Sequence, residues 1–558
     1  MTWPSLLASR WFVWLVLPLL WAAAYLPNLG ARDLRLEEGR RAGPAREMMA
    51  AGQYVLPTIY GEPYLSKPPL FFWVVAASAA VCGGMTEFAA RLPSVLSVLA
   101  GAWVLWALPA GQMSRSARGL AALLLISGPI LLDKGTLGEI ESFFCLIVIA
   151  LLAAWWRGYD ERTGPTPAAW LWSGVILGLA VLVKGPPALV LFYGPVIAFL
   201  VWRRQASALL SPWHAAGFVL AVLPAAVWVW RLQESGIDIT DTANWWKRQM
   251  IGARPGSQTA RYLGHLLQYP FEILLMVLPW GLHAALLFRR PVDAEPGKAL
   301  PEPLRRFLVA AIPAIFVFFW LWPNARPRHM MVVWWPACLL AAAALAGAWP
   351  WPTGPKWAGL FRISAGVAGY VASAAGFGGL IAAQLFHPEA VFTTALGAGF
   401  CGVLGFVSLT LTIRTADRDL PVAAAGAVAV AILAVWMQVA LVFLPWKGER
   451  DPRRAVWLAA RGHIPEERPL YTRFLFPDTA FYNHQFYFGP RLRALPPGGY
   501  HGFPLNRPAT VLMSVYELAE LEKRPDFRTR LLIDIPVEDV KFDGKVEHIA
   551  VVEVSRLR

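Results

Sequence analysis

The sequence predicts an all-α polytopic membrane bundle of about thirteen transmembrane helices followed by a C-terminal soluble α/β domain. Three observations lead there. Of 558 residues, 57% are apolar and only 15% charged, and the mean hydropathy is +0.48; a soluble chain of this length would divide into domains with far more polar surface. The apolar residues gather into repeated runs close to the roughly 20 residues needed to cross a bilayer. The character then changes after residue 445, where mixed charge, turn signals and short strand-like runs take over.

The runs, each ended by charge or by Pro and Gly clusters, are 11–28, 69–84, 93–111, 119–133, 142–157, 168–184, 187–202, 213–231, 267–288, 305–322, 330–348, 362–385, 391–413 and 421–445. The first carries little n-terminal charge beyond Arg10 and is read as a retained helix rather than a cleaved signal. Basic residues mark the cytoplasmic loops. Arg157, Arg203, Arg204, Arg289, Arg290, Arg305, Arg306, Lys356, Arg362, Arg414 and Arg418 fall on one side if the later spans alternate. Loops 134–141, 232–266 and 323–329 then face outward, as does the tail. Loop 29–67 is also outward by the first span, so one of 69–84, 93–111 and 119–133 must be re-entrant, interfacial or part of a neighbour. Domain 1–445 is therefore the membrane part and 446–558 the extracytoplasmic part. The tail has "LPPGGYHG" as a turn, "ATVLMSV" and "HIAVVEV" as strands, and "YELAELEKR" as a helix.

Composition also excludes classes. A net charge of +14 and a pI near 9.8 come from basic residues spread over many loops, not gathered into a nucleic-acid stripe. Membrane lipids and phosphate-bearing substrates are the expected partners, with no nucleic acid. The four cysteines, Cys82, Cys145, Cys338 and Cys401, lie in apolar runs without CxxC spacing and read as small core residues. The 28 Trp suit interfacial belts and bundle cores.

The densest mixture of charge stands in the first outward loop, where basic residues are normally scarce. A helical reading of "EEGRRAGPAREMM" puts Glu37, Arg40, Arg41 and Glu38 on or near one face. A solvated amphipathic helix lying on anionic headgroups would account for that much. The loop, however, runs through "YGEPYLSKPPLFFW" into the next apolar run, and Pro68 and Pro69 fix Lys67 at the membrane rim. A pinned cation beside a carboxylate-bearing helix is what a lipid-phosphate site requires.

The stretch "DLRLEEGRRAGPAREMMAAGQYVLPTIYGEPYLSKPPLFFW" resembles the first outer loop of the polyprenyl-phosphate-sugar-dependent membrane glycosyltransferases of the GT-C superfamily, which include lipid A aminoarabinose transferases and, more distantly, protein O-mannosyltransferases. Glu37-Glu38-Gly39-Arg40 occupies the position of the family's Asp-Glu-x-Arg, and Lys67-Pro68 that of its Lys-Pro. Further matches follow in order: "ARLPS" at 90–94, "GEIESFF" at 138–144, "LGLAVLVKGPPAL" at 177–189 and "VLPW" at 277–280. The resemblance implies transfer of a sugar from a polyprenyl-phosphate-linked donor to a lipid, glycan or protein acceptor, with inversion, at the periplasmic face of a bacterial inner membrane.

Site residues follow from the same resemblance. Glu37 takes the usual Asp position and is rivalled by Glu38 as the base. Glu141 takes the second acidic position and is rivalled by Glu139, although an acid there could equally favour a helix N-terminus. Lys184 in "KGP" reads as phosphate-binding against a snorkelling lysine. Arg40, Arg41, Lys67, Arg261, Arg326 and Arg328 complete the set of carrier-phosphate cations. No cofactor is certain. A divalent metal, Zn or Mg, at His265 is left open by the resemblance, but Ser66 stands where an acidic residue usually flanks the lysine, and no tight ligand spacing is visible. A polytopic transporter or flippase is the rival reading. It predicts ionisable residues in mid-helix and inverted repeats, whereas the charges here crowd at the outer rim. An assembly protein is the third, and has no need of several charged outer loops.

Overall fold

A computed structural model describes residues 1–35, 37–108, 111–237, 258–276, 300–323, 325–348, 355–450, 469–472, 486–488, 492–538 and 546–557, with single residues 458, 462 and 464. The chain forms two compact units: Met1–Leu29 with Pro93–Pro445, and Gly30–Leu92 with Trp446–Arg558. The first outer loop thus packs with the tail, although more than 350 residues of chain separate them in sequence.

The first unit is helical. Nine helices among the described residues are long and apolar enough to cross a membrane, or ten if the pair Arg115–Ile126 and Pro129–Gly135, bent by 52°, is one broken span. Most of the expected runs are helices near their expected bounds, as with Ile140–Arg157, Pro167–Lys184, Glu302–Leu321 and Leu420–Gly448. Thirteen is not reached among the described residues. Of the three runs that conflicted in the topology count, 93–111 has its residues 93–107 in a helix of 21 residues, Glu87–Ala107, while 119–133 falls in the bent pair. The run 69–84, which belongs to the second unit, forms only Leu70–Val81, 12 residues, about 18 Å at the α-helical rise and short of the hydrocarbon core. The break in the bent pair has a local cause: Gly128 is followed by Pro129, which cannot continue the hydrogen-bond ladder.

Helix starts are set by hydroxyl caps followed by proline. Thr166 precedes Pro167 and accepts from the Ala169 amide, and Ser211 precedes Pro212 and accepts from the Trp213 amide. The two helices that follow meet through glycine. A Cβ on Gly174 would lie 2.2 Å from the Gly217 carbonyl oxygen, and one on Gly217 would lie 2.4 Å from that of Trp170, the close backbone approach that small residues permit in lipid. Helix Pro212–Glu234 leaves Phe218, Val219, Leu223 and Trp230 exposed, as a face toward acyl chains should.

In the second unit, the loop contributes helix Gly39–Ala51, closed by Gly52 in the left-handed region at φ 64°, and a small hairpin pairing Thr58–Ile59 with Glu62–Pro63. The tail contributes a five-stranded sheet in the order Leu492–Ala494, Leu470–Thr472, Pro508–Ser514, Val546–Arg556, Phe527–Glu538. The first two pairings are parallel and the last two antiparallel. Helix Val515–Glu522 packs Leu518 and Leu521 into the sheet core of Val511, Met513, Val552 and Val554. The strands expected at "ATVLMSV" and "HIAVVEV" and the helix at "YELAELEKR" are therefore present.

Because loop and tail form one unit, they should share a side of the membrane, and basic-loop counting makes it the outer one. In a Cys82→Ala background, Ala50→Cys and Glu520→Cys, both at exposed positions, are expected to react alike with a membrane-impermeant thiol reagent in intact spheroplasts. Labelling of one and protection of the other would contradict the shared unit.

Candidate active site

Buried charge gathers in each unit. In the loop unit, the Glu37 carboxylate meets Arg40 Nη1 at 3.0 Å and Arg41 Nη2 at 3.5 Å, the i+3 and i+4 neighbours that one helical face brings together. Arg40 Nε also donates to the Tyr64 hydroxyl at 2.8 Å, and Tyr64 packs on Phe72. Arg41 is 5% exposed, and its Nε and Nη1 meet no hydrogen-bond acceptor among the described residues. Glu38 is held differently. Arg91 donates from Nε and Nη2 to its two oxygens at 2.7 and 2.9 Å, and the Arg35 amide donates to it at 2.8 Å. Arg91 further donates to the carbonyls of Arg32 and Asp33, both at 2.8 Å. Glu38 and Arg91 are fully buried, so this bidentate pair fixes the turn leading into Glu37. At the far end of the helix, Glu47 accepts from the Thr58 hydroxyl and from the Tyr60 and Gly61 amides. Lys67 is half-buried and stands directly before Pro68, Pro69 and helix Leu70–Val81.

In the helical unit, Glu139 caps helix Ile140–Arg157 and Glu141 lies in its first turn. Arg328 Nη1 lies 3.4 Å from Glu139 Oε2, and Arg328 Nε 3.5 Å from Glu141 Oε1. Lys184 Nζ approaches the same Glu141 oxygen at 3.5 Å and sits 5.1 Å over the Phe144 ring. Lys184 ends its helix because Gly185 turns at φ 75°. The Ser94 hydroxyl donates to the Glu139 carbonyl at 2.8 Å. These ion pairs are longer than the fork at Glu38, leaving weaker individual contacts.

The structure thus brings Glu37, Arg40 and Arg41 together in one cluster, and Glu139, Glu141, Lys184 and Arg328 in the other. Arg328, expected among the carrier cations, places its guanidinium between two carboxylates. Arg326 is exposed, and its amide donates to His329 Nδ1 at 3.1 Å. Arg261 has its backbone in helix Gln258–Met276, but its side chain lies outside the described residues, as do Lys247, Arg248, Arg254 and the "VLPW" stretch. His265 Nε2 donates to the Trp320 carbonyl at 3.1 Å, and the ring packs on Tyr269. Among the described residues no group of three His, Cys, Asp or Glu side chains gathers. With Nε2 committed and Ser66 beside Lys67, the described residues do not compose a metal centre at His265. Arg91 is the residue that sequence reasoning left without a role. Its signal was present in "ARLPS", an arginine deep in an apolar setting that must find a partner.

A family model described as dolichyl-phosphate-mannose-protein mannosyltransferase matches residues 66–230, a stretch holding Lys67, Arg91, Glu139, Glu141 and Lys184. An undecaprenyl phosphate-alpha-4-amino-4-deoxy-L-arabinose arabinosyl transferase of Shewanella sediminis is 28% identical over 306 residues, 54% of this chain and 54% of its own. A protein of that description from Sodalis glossinidius is 30% identical over 276 residues, 48% of each. The chain spans about half the length of the curated relatives it matches. Among solved structures, ArnT from Cupriavidus metallidurans in the apo state aligns over 96% of both chains with a TM-score of 0.64 at 18% identity. This chain has that fold, and it is similar to the polyprenyl-phosphate-sugar-dependent membrane glycosyltransferases. The same ArnT bound to undecaprenyl phosphate aligns with a TM-score of 0.62. Within this glycosyltransferase likeness, the two arabinosyl transferase matches cover about half of the chain, while the fold likeness covers 96% of it.

The fork at Glu38 gives a stability test. Removing one partner of a buried ion pair costs about 3–5 kcal/mol, whereas replacing both by apolar residues can be nearly neutral. Arg91→Met is therefore expected to lower the thermal unfolding midpoint in detergent sharply, and Arg91→Met with Glu38→Leu to recover part of the loss. An Arg91→Met single variant as stable as the parent contradicts the assignment.

Proposed function

We propose that the chain is an integral membrane glycosyltransferase that moves a sugar from a polyprenyl-phosphate carrier to a lipid, glycan or protein acceptor at the outer face of the inner membrane. The observation that carries this reading is the Glu37–Arg40–Arg41 cluster. It sets a carboxylate beside a buried guanidinium, Arg41, with two N–H groups that meet no acceptor among the described residues. Buried donors of this kind are costly unless an anion takes them, and a carrier phosphate supplies one. The names of the arabinosyl transferase relatives support undecaprenyl phosphate as the carrier.

The reaction is an inverting displacement. The acceptor oxygen bonds to the anomeric carbon as the bond from that carbon to the carrier phosphate oxygen breaks. The acceptor proton passes to a carboxylate, and the phosphate leaves with the bonding electron pair. A phosphate leaving group needs cations rather than a proton donor, the part we give to Lys67, Arg40 and Arg41. Of the two candidate bases in the first loop, Glu37 is the better. Both oxygens of Glu38 already accept from Arg91 and the Arg35 amide, which makes Glu38 a positioning residue. Glu141, whose ion pairs with Lys184 and Arg328 are 3.5 Å long, is the second candidate base, with Glu139 beside it.

Glu37→Gln keeps the shape of the side chain and removes the base, so turnover should fall by roughly 100- to 10,000-fold. If Glu37→Gln keeps parental turnover while Glu141→Gln loses it, the base lies in the other cluster. Lys67→Ala should slow transfer from the lipid-linked sugar on the order of tenfold to a hundredfold at subsaturating carrier, since charge-assisted contacts are worth about 1.5–3 kcal/mol. Lys67→Arg should restore part of the rate, because the charge survives and the compact ammonium does not. A Lys67→Ala variant that transfers as well as the parent overturns the phosphate role.

A further inference from the structure

We infer that residues 486–488 and 492–494 of the C-terminal segment act as a splint that positions the first outer loop, with Tyr487 its main positioning residue. The inference rests on the reading of Glu37–Arg41 as the reacting segment, and it assigns the tail a part in the chemistry rather than a separate task.

The splint touches the loop at three points. The Tyr487 hydroxyl oxygen accepts from the Leu34 amide at 2.9 Å, across 453 residues of sequence. Arg46 donates from Nη1 to the Phe486 carbonyl, and its guanidinium lies 5.0 Å over the Phe486 ring. The Ala494 amide donates to the Tyr60 carbonyl at 3.0 Å, and Ala494 ends the outermost strand of the tail sheet. Leu34 precedes Glu37 and Arg46 follows Arg41, so the first two points bracket the cluster. The third stands four residues before Tyr64, which receives the Arg40 hydrogen bond.

The anchors are themselves well held. Phe486, Tyr487 and Phe488 are buried, and an aromatic turn enclosed in this way has little freedom to follow a drifting loop. Burial pushes the Tyr487 phenol well above its ordinary range, with the Asp33 carboxylate acting in the same direction. The phenol therefore stays neutral through the physiological range, and its oxygen keeps accepting from Leu34 without a charge to solvate. On the loop side, the Arg91–Glu38 fork restrains the turn directly after Leu34. Between the fork and the tail, the backbone from 32 to 35 is restrained by hydrogen bonds on the carbonyls of Arg32 and Asp33 and the amides of Leu34 and Arg35, the last of them to the Glu38 side chain. Geometry held this closely matters for displacement chemistry, where small misplacements of a catalytic group lower the rate with little effect on folding.

The experiment uses the full chain in detergent or nanodiscs. Tyr487→Phe removes the hydroxyl acceptor and keeps the ring; Ala494→Pro removes the amide donor at an edge strand, a position that tolerates proline. Both variants are expected to keep the parental unfolding midpoint. Each should lower kcat on the order of five- to tenfold, with the KM for polyprenyl-phosphate sugar changing less, and Tyr487→Phe should speed amide hydrogen exchange across residues 34–46. Unchanged exchange at 34–46 together with unchanged kcat in both variants overturns the splint. The failure of the functional reading looks different: Glu37→Gln would then keep its turnover, while the exchange rates would still report whether Tyr487 holds the loop.

Discussion

A guanidinium and a carboxylate shut away from water must satisfy one another, and Arg91 and Glu38 do so with two short hydrogen bonds between fully buried side chains. The cost of desolvating both is recovered only if every remaining donor finds an acceptor. Arg91 meets that condition by also donating to the carbonyls of Arg32 and Asp33. The fork therefore fixes a backbone path as well as a charge pair. Glu37 stands one residue before Glu38, and Arg40 and Arg41 follow within a turn, so the geometry of the proposed reacting cluster is inherited from this contact.

The lipid sets the second constraint. In hydrocarbon a charge is expensive anywhere except at an end of a span or against a partner, and the described charges obey this. Lys184 is the last residue of its helix and faces Glu141; Glu139 and Glu141 begin theirs and share Arg328. The same rule separates the two kinds of carboxylate. Glu38 is tied by short bonds on both oxygens and serves structure, whereas the contacts of Glu37 with Arg41 and of Glu141 with Lys184 and Arg328, all at 3.5 Å, leave cations that can be shared with an incoming anion. Contacts of 3.5 Å forgo part of the electrostatic gain, and an enzyme can accept that loss where a substrate completes the set.

Much of the fold was legible in the sequence because a span must be continuous and apolar. The run 142–157 became Ile140–Arg157 and 421–445 became part of Leu420–Gly448. Of the early runs whose topology conflicted, one is the short helix Leu70–Val81 and another holds the bend at Gly128–Pro129. The cluster of Glu37, Arg40 and Arg41 could be read from i+3 and i+4 spacing alone. The partnership of loop and tail could not. The bond from Leu34 to Tyr487 joins residues with no shared period or motif, and a backbone amide announces nothing about its acceptor. Nor could spacing tell that Arg328 turns to Glu139 and Glu141, because residues 189 apart meet only through helix packing.

The most direct test asks whether the sugar leaves its carrier. Purified chain in proteoliposomes would be given polyprenyl-phosphate sugars, with the label in the sugar, together with membrane extract as acceptor. A glycosyltransferase should release free polyprenyl phosphate in step with the mass gained by the acceptor, one sugar for each carrier consumed. Carrier that crosses the bilayer with its sugar attached, while no acceptor gains mass, would contradict transfer and mark the chain as a flippase.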